Sequence, residues 1–247
     1  MPVSEDLTRD EILRGRLTLW QPRDGYRFAV DPLLLIDFVS EGKIARGADL
    51  GAGCGIIALG LLRRFADASF VAAELQPRLA QLARRNADEN GLGDRMTVLE
   101  LDLADARASR AALPGASFDL VASNPPFRPL GEGDANPDGE AAVARHALRL
   151  TLGDLAAQAR RLLVPGGRAA IVYPAERLAS LLSALERESL RPLRLRAVHP
   201  RPNEPASRVL VEAKKGARGL LTVEPPLILR DDNGDYTADA RRALGER

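Results

Sequence analysis

At 247 residues, with 45% apolar and 28% charged residues and a formal charge of +1, the chain is long enough for one large α/β domain and carries no net field to attract a polyanion. A single cysteine, Cys54, and two histidines exclude an internal disulfide framework and a cysteine-based metal cluster, so no metal is expected. The opening residues lack the apolar run of a signal peptide and no stretch approaches the ~18 apolar residues of a membrane span, so the expectation is a cytoplasmic protein with no membrane contact: one domain with an N-terminal cap over 1–45, a core over 46–215 and a tail over 216–247.

The chain holds ten aromatics, and Trp20, Tyr26, Phe28 and Phe38 fall in the first 38 residues. Such density suits a segment that closes over a ligand, with Tyr26 and Arg27 as candidate substrate contacts; core packing explains Phe28 and Phe38 equally well. DPLLLIDFVS at 31–40 predicts a helix with Asp31 as N-cap and Pro32 in the first helical position.

From residue 47 onward short β-type runs alternate with amphipathic stretches. Strands are predicted at 47–50, 69–74, 96–101, 118–123, 168–173, 193–199 and 208–213, and helices at 54–66, 77–90, 152–164 and 175–188. This alternation predicts an α/β fold, a parallel sheet with helices on both faces. The closeness of the last two strands predicts a hairpin-like pair. Two irregular stretches remain, 128–145 and 219–236, the second with an Asn233-Gly234 turn.

DLGAGCG at 49–55 follows the first of these strands and opens a helix. Gly51, Gly53 and Gly55 let the backbone turn tightly and approach a ligand. Ile56 occupies the place of the third glycine of a dinucleotide fingerprint, which argues against NAD. Cys54 is a small space-filler rather than a nucleophile. Glu74, 23 residues after Gly51, ends the next strand, where a carboxylate can accept from two ribose hydroxyls. Asp102 ends the third strand, placed to accept from an adenine amino group with Leu103 lining the ring; Asp105 competes for that role. These strand ends converge on the crevice where open α/β sheets bind ligands, which points to a nucleoside-containing cofactor.

The fourth strand runs into Asn124-Pro125-Pro126-Phe127. The prolines could simply end the strand. They could also serve chemistry: Asn124 Oδ1 and the Pro125 carbonyl can each accept one N–H of an amine whose lone pair is delocalised, stabilising the positive charge that grows on nitrogen as a methyl group arrives. Phe127 would stack on the acceptor and fix its plane.

In this order, D-L-G-A-G-C-G, Glu74, the Asp102 segment and N-P-P-F resemble the class I S-adenosylmethionine-dependent methyltransferases that act on planar nitrogens. QPRDGYRFAVDPLLLIDFV at 21–39, VARHALRLTLGDL at 143–155 and VEPPLILRDDNGDYT at 223–237 are similar, more narrowly, to the bacterial tRNA1(Val) adenine-N6 methyltransferases. The resemblance implies a Rossmann-like sheet of seven mostly parallel strands with the last antiparallel, and S-adenosylmethionine as cofactor. It places Asp49, Gly51, Gly53, Gly55, Glu74, Asp102, Leu103 and Asn124 at the cofactor and gives Asn124, Pro125 and Phe127 the catalytic role. The resemblance further implies an adenine beside the tRNA anticodon as the substrate, with Tyr26, Arg27, Pro126, Phe127 and Arg145 as candidate substrate contacts. Enzymes that methylate a protein glutamine amide share a similar tetrapeptide but carry a helical N-terminal domain, where here about 45 residues precede the sheet. An rRNA base is an alternative methyl acceptor; a non-catalytic RNA-binding scaffold that keeps the fold is a further alternative, against which the intact Asn-Pro-Pro-Phe set argues.

Between Arg187 and Arg218 seven arginines and two lysines stand against three glutamates, an excess that could follow a phosphate backbone or form a solvated face. Arg145 and His146, after the long irregular stretch, are candidates for ordering it over substrate.

Overall fold

Residues 7–23, 30–125 and 150–245 are described by the computed structural model of the chain. Its first element was not expected: β1 (Leu7–Ile12) and β2 (Leu17–Pro22) form an antiparallel hairpin. Leu17 and Leu19, two apart and so on one face of β2, are fully buried. Charged residues at Arg9, Asp10 and Glu11 interrupt β1 and hide the period-two signal.

The chain continues through α1 (Asp31–Phe38), β3 (Arg46–Leu50), α2 (Ile56–Arg64), β4 (Ser69–Glu74), α3 (Pro77–Glu89), β5 (Met96–Glu100), α4 (Ala106–Ala112) and β6 (Phe118–Ser123). After it come α5 (Leu152–Leu162), β7 (Leu163–Pro174), α6 (Leu178–Arg187), β8 (Leu190–His199), β9 (Arg208–Lys215), β10 (Thr222–Val223), β11 (Leu227–Ile228) and α7 (Ala238–Leu244). The helix at 31–38 is present, but Asp31 is not its N-cap. Val30 occupies that position without a side-chain bond. Asp31 lies in the first turn, where its carboxylate accepts from Arg208 Nε at 2.8 Å, and Pro32 follows it. One residue inside the helix, its side chain is past the capping position and pairs with β9 instead.

The large sheet runs β10-β8-β9-β7-β6-β3-β4-β5, with β11 also on β8. Strands β3 to β7 run parallel to one another, and β9 lies antiparallel between β7 and β8. The seven expected strands and the reversal of the last are therefore present. The two-residue strands β10 and β11, too short to show a period, bring the sheet to nine. Helix α5 stops at Leu162 and β7 begins at the next residue, five positions before the predicted start. Helix α4, built from Ala, Arg and Ser, buries only Ser109, and so has no apolar stripe by which to read it.

Side chains alternate across the sheet into two cores. Phe70, Ala72, Leu120 and Ala122 pack on one face with α1, α2, α3, α7 and the hairpin. Ala48, Leu50, Ala73 and Val121 pack on the other with α5 and α6. Among the described residues no helix is long and apolar enough to cross a membrane. The order of strands reverses at β3, whose neighbours are β4 on one side and β6 on the other. Ligands of open α/β sheets bind at the carboxyl ends of such a pair.

Candidate active site

The turn after β3 is tethered through its backbone. Gly51 and Ala52 N–H both donate to the Ala73 carbonyl (2.9 and 3.0 Å), and Gly53 N–H donates to Glu74 Oε2 (2.8 Å). Gly51, Gly53 and Gly55 have φ of 77°, 56° and 88°, a region L side chains rarely adopt. A Cβ on Gly55 would lie 2.8 Å from Met96 Cε and 3.2 Å from Ala83 Cβ, so this glycine serves close packing. A Cβ on Gly51 would meet nothing within 4 Å. Cys54 is buried, and burial pushes its thiol up to about 12, which suits a space-filler and not a nucleophile.

Two carboxylates flank this turn. Asp49 is fully buried and accepts from Ala58 N–H on α2 at 3.1 Å, while its Oδ1 has no partner among the described residues. Burial pushes its carboxyl up to about 7; the Ala58 bond opposes that and the nearby Glu74 charge adds to it. Glu74 is not a solvated strand end. It is buried, with Oε2 on Gly53 N–H and Oε1 on Gln76 N–H (2.8 Å each), and burial raises its carboxyl above the ordinary range against these bonds. Each oxygen keeps a second lone pair for a further donor.

At the end of β5, Asp102 Oδ1 accepts from Ala104 N–H at 2.9 Å, closing a local turn. Asp105 is the N-cap of α4, accepting from Arg107 and Ala108 N–H (2.9 and 3.0 Å), which accounts for it without a ligand. Leu103 is buried within the core on the α5 and α6 face.

At the tip of β6, the Ser123 hydroxyl donates to the Leu50 carbonyl at 2.6 Å. The pairing of Asp49 with Ala122 leads into this bond, so Asn124 follows β6 where Gly51 follows β3. Asn124 Oδ1 is buried and has no hydrogen-bond partner among the described residues. Pro125 beside it is buried. Tyr26, Arg27, Pro126, Phe127, Arg145 and His146 lie outside the described residues.

Two buried carboxamides escaped sequence reasoning. Asn86 on α3 donates to the Cys54 carbonyl at 2.9 Å, and Gln158 on α5 donates to the Leu103 carbonyl at 3.1 Å, so each braces a loop at the crevice from behind. Gln158 also accepts from Ser109 Oγ (2.9 Å) and from Arg161 (2.9 Å). The available signal was a polar residue inside an apolar helical stripe: Asn86 among Leu79, Leu82 and Ala83, and Gln158 among Leu155, Ala159 and Leu162.

Four cations of the arginine-rich stretch have partners inside the fold. Arg191 bonds Glu186 (3.0 Å), Arg194 bonds Glu224 (2.7 Å), Arg208 bonds Asp31 (2.8 Å) and Arg196 bonds the Pro225 carbonyl (3.1 Å). These cations are spent holding β8 and β9 to their neighbours. Arg187 and Arg218 are exposed.

Residues 30–188 match the family described as methyltransferase small domain. A tRNA1(Val) (adenine(37)-N6)-methyltransferase of Porphyromonas gingivalis is 35% identical over 75% of this chain and 73% of its own. One of Parabacteroides distasonis is 31% identical over 80% of each. Among solved structures, a predicted O-methyltransferase from Agrobacterium tumefaciens superposes with a TM-score of 0.70 at 29% identity, over 88% of this chain and 98% of that one.

Proposed function

The chain belongs to the methyltransferase small domain family, and from that premise we propose that it methylates the exocyclic N6 of an adenine in tRNA, with S-adenosylmethionine as cofactor. The observation that carries this reading is Asn124 Oδ1, buried without a partner among the described residues at the tip of β6 and followed by a proline carbonyl. An unpaired buried acceptor costs about 1–3 kcal/mol, and such atoms are retained where a ligand or a reaction uses them.

The residues present fit the cofactor. Glu74 keeps lone pairs for two hydroxyls, Gly51 presents bare backbone where a Cβ would touch nothing, and Asp102 stands at the next strand end. In this reading Gly51 and Gly53 take the amino-acid portion, Glu74 the ribose, and Asp102 with Leu103 the adenine, while Gly55 packs the turn against α3 and Asp49 supports it from below. Bound there, S-adenosylmethionine supplies a methyl group made electrophilic by a sulfonium.

The chain's own contribution is electrostatic. Asn124 Oδ1 and the Pro125 carbonyl accept the two hydrogens of the adenine amine and draw electron density back onto its nitrogen. They hold it more strongly as positive charge develops there, which lowers the barrier. No base is needed beforehand, because the methylated nitrogen is acidic and releases its proton to water. The adenine must leave its stack to reach this pocket. The relatives described as tRNA1(Val) methyltransferases support tRNA as the acceptor class.

The test is labelled methyl transfer to total tRNA, rRNA and protein, followed by nucleoside mass spectrometry. N6-methyladenosine from tRNA is the expected product. Label confined to protein glutamine, to rRNA, or to a hydroxyl would overturn the proposal.

A further inference from the structure

Two carboxamides, one on α3 and one just past its end, hold the N-terminal hairpin as a neighbouring strand would. Asn90, just past the end of the helix, accepts Thr18 N–H (2.9 Å) and donates to the Thr18 carbonyl (2.7 Å); its other N–H goes to the Asn86 carbonyl (2.7 Å). One turn earlier Asn86 repeats the pattern at Trp20, accepting its N–H at 2.7 Å and donating to its carbonyl at 2.9 Å. These bonds lie on the edge of β2 that β1 does not use. Asn86 differs from Asn90 in where its second N–H goes: to the Cys54 carbonyl, in the middle of the glycine turn, at 2.9 Å.

Asn86 is fully buried, and both its hydrogens are committed. A carboxamide is planar, so its two N–H directions are fixed relative to each other and to its oxygen. If the Cys54 carbonyl moves, the amide must follow, and the Trp20 bonds lose alignment, on which hydrogen-bond strength depends steeply. On the other side Cys54 is pinned between Gly53, whose N–H is on Glu74, and Gly55, whose positive φ opens α2. The glycine turn and the hairpin thus share one rigid connector.

We propose that Asn86 is a positioning residue that couples occupation of the glycine turn to docking of the hairpin, so that each strengthens the other. The proposal rests on the reading above only in taking S-adenosyl compounds to bind at that turn. Coupling of binding equilibria is reciprocal, so a ligand at residues 51–55 protects the β2 edge, and loosening the β2 edge through Asn86 weakens the ligand.

The experiment is amide hydrogen exchange at Thr18 and Trp20 of the full chain, with and without S-adenosylhomocysteine, alongside calorimetric titration of that ligand. In the unaltered protein the ligand slows exchange at Trp20 by roughly tenfold, inside the usual range of coupling between sites. In Asn86→Ala that response disappears and ligand affinity falls by a similar factor. In Asn90→Ala exchange at Thr18 speeds up, while the ligand response at Trp20 and the affinity are kept, an outcome that a merely structural role for both residues would not give. If the Asn86 variant does not fold, the unaltered protein decides, and its single tryptophan, Trp20, supplies a second readout through ligand-dependent emission. Calorimetric binding with no change at Trp20 overturns the coupling and leaves the methyltransferase reading intact. No binding at all overturns both.

Discussion

The Ser123 hydroxyl donates to the Leu50 carbonyl at 2.6 Å, and both residues are fully buried, so the tips of β6 and β3 are joined where the two halves of the crevice meet. Ser123→Ala leaves that carbonyl unpaired and costs about 1–3 kcal/mol of stability. Because Asn124 follows directly, turnover falls by a larger factor than cofactor affinity. Urea denaturation and calorimetry measure the two effects; an unchanged denaturation midpoint would show that the bond contributes nothing.

Asn124→Ala separates activity from stability. Its Oδ1 has no partner among the described residues, so removing it takes away no hydrogen bond of that oxygen within them. Turnover should fall by ~10²–10³-fold, as for other polarising groups aimed at developing charge. The thermal midpoint should hold or rise and cofactor affinity should barely move. Loss of stability in step with loss of turnover would mark the side chain as structural.

Burial sets a pH dependence through Asp49. Its carboxyl ionises at about 7 in the folded chain and near 3.9 in an unfolded one. Between roughly pH 4 and 7 the folded state holds a proton that the unfolded state has lost, so stability falls as pH rises across that window and levels off above it. Glu74, also raised by burial, acts in the same direction. Asp49→Asn keeps an oxygen for Ala58 N–H and removes the Asp49 share. Urea midpoints at pH 5 and pH 8 should therefore differ less in the variant than in the unaltered chain.

The glycines of the turn should respond differently to alanine. At Gly55 the added methyl combines a φ of 88° with contacts at 2.8 and 3.2 Å, so Gly55→Ala lowers folding stability. At Gly51 only the conformational strain applies, of order 1–3 kcal/mol, and the methyl projects into open space at the crevice. Cofactor affinity should drop more than stability in Gly51→Ala, and the reverse should hold in Gly55→Ala. Denaturation and S-adenosylhomocysteine titration on both variants make the comparison.

Arg194 lies between Glu212 and Glu224, with its guanidinium over the Phe38 ring at 4.4 Å. Arg194→Ala should destabilise the fold while leaving the salt dependence of tRNA binding unaltered, because a cation paired internally releases no counterions from RNA. Arg218→Ala, at an exposed position, should leave stability unchanged. Filter binding over a salt series distinguishes a lost phosphate contact, which lowers the slope by nearly one unit, from a lost internal pair.

Much of the sheet was readable because β4 and β6, SFVAAE and FDLVAS, carry their signal in consecutive apolar residues bounded by polar ones, and both strands have the predicted limits. The hairpin was not readable, since its stability comes from an edge bonded to Asn86 and Asn90, about 70 residues away in sequence. Asn124 and Pro125, the proposed acceptor pair, drew notice from chemistry alone, because a carboxamide and an N-substituted carbonyl in succession are unusual at a strand tip. The paired arginines could not be told from free ones: their partners Asp31 and Glu224 lie outside the stretch in which the charges were counted.

The placement of β9 between β7 and β8 has a consequence for synthesis. Strands β3 to β7 can pair and gather their helices as the nascent chain leaves the ribosome, but β8 emerges before the strand that must separate it from β7. A polypeptide halted after residue 199 would expose the edge of β7 as a template for a stray strand from a second molecule. Emergence of residues 208–215 closes that edge, so protection from misassembly arrives late, after the reactive end has already taken shape.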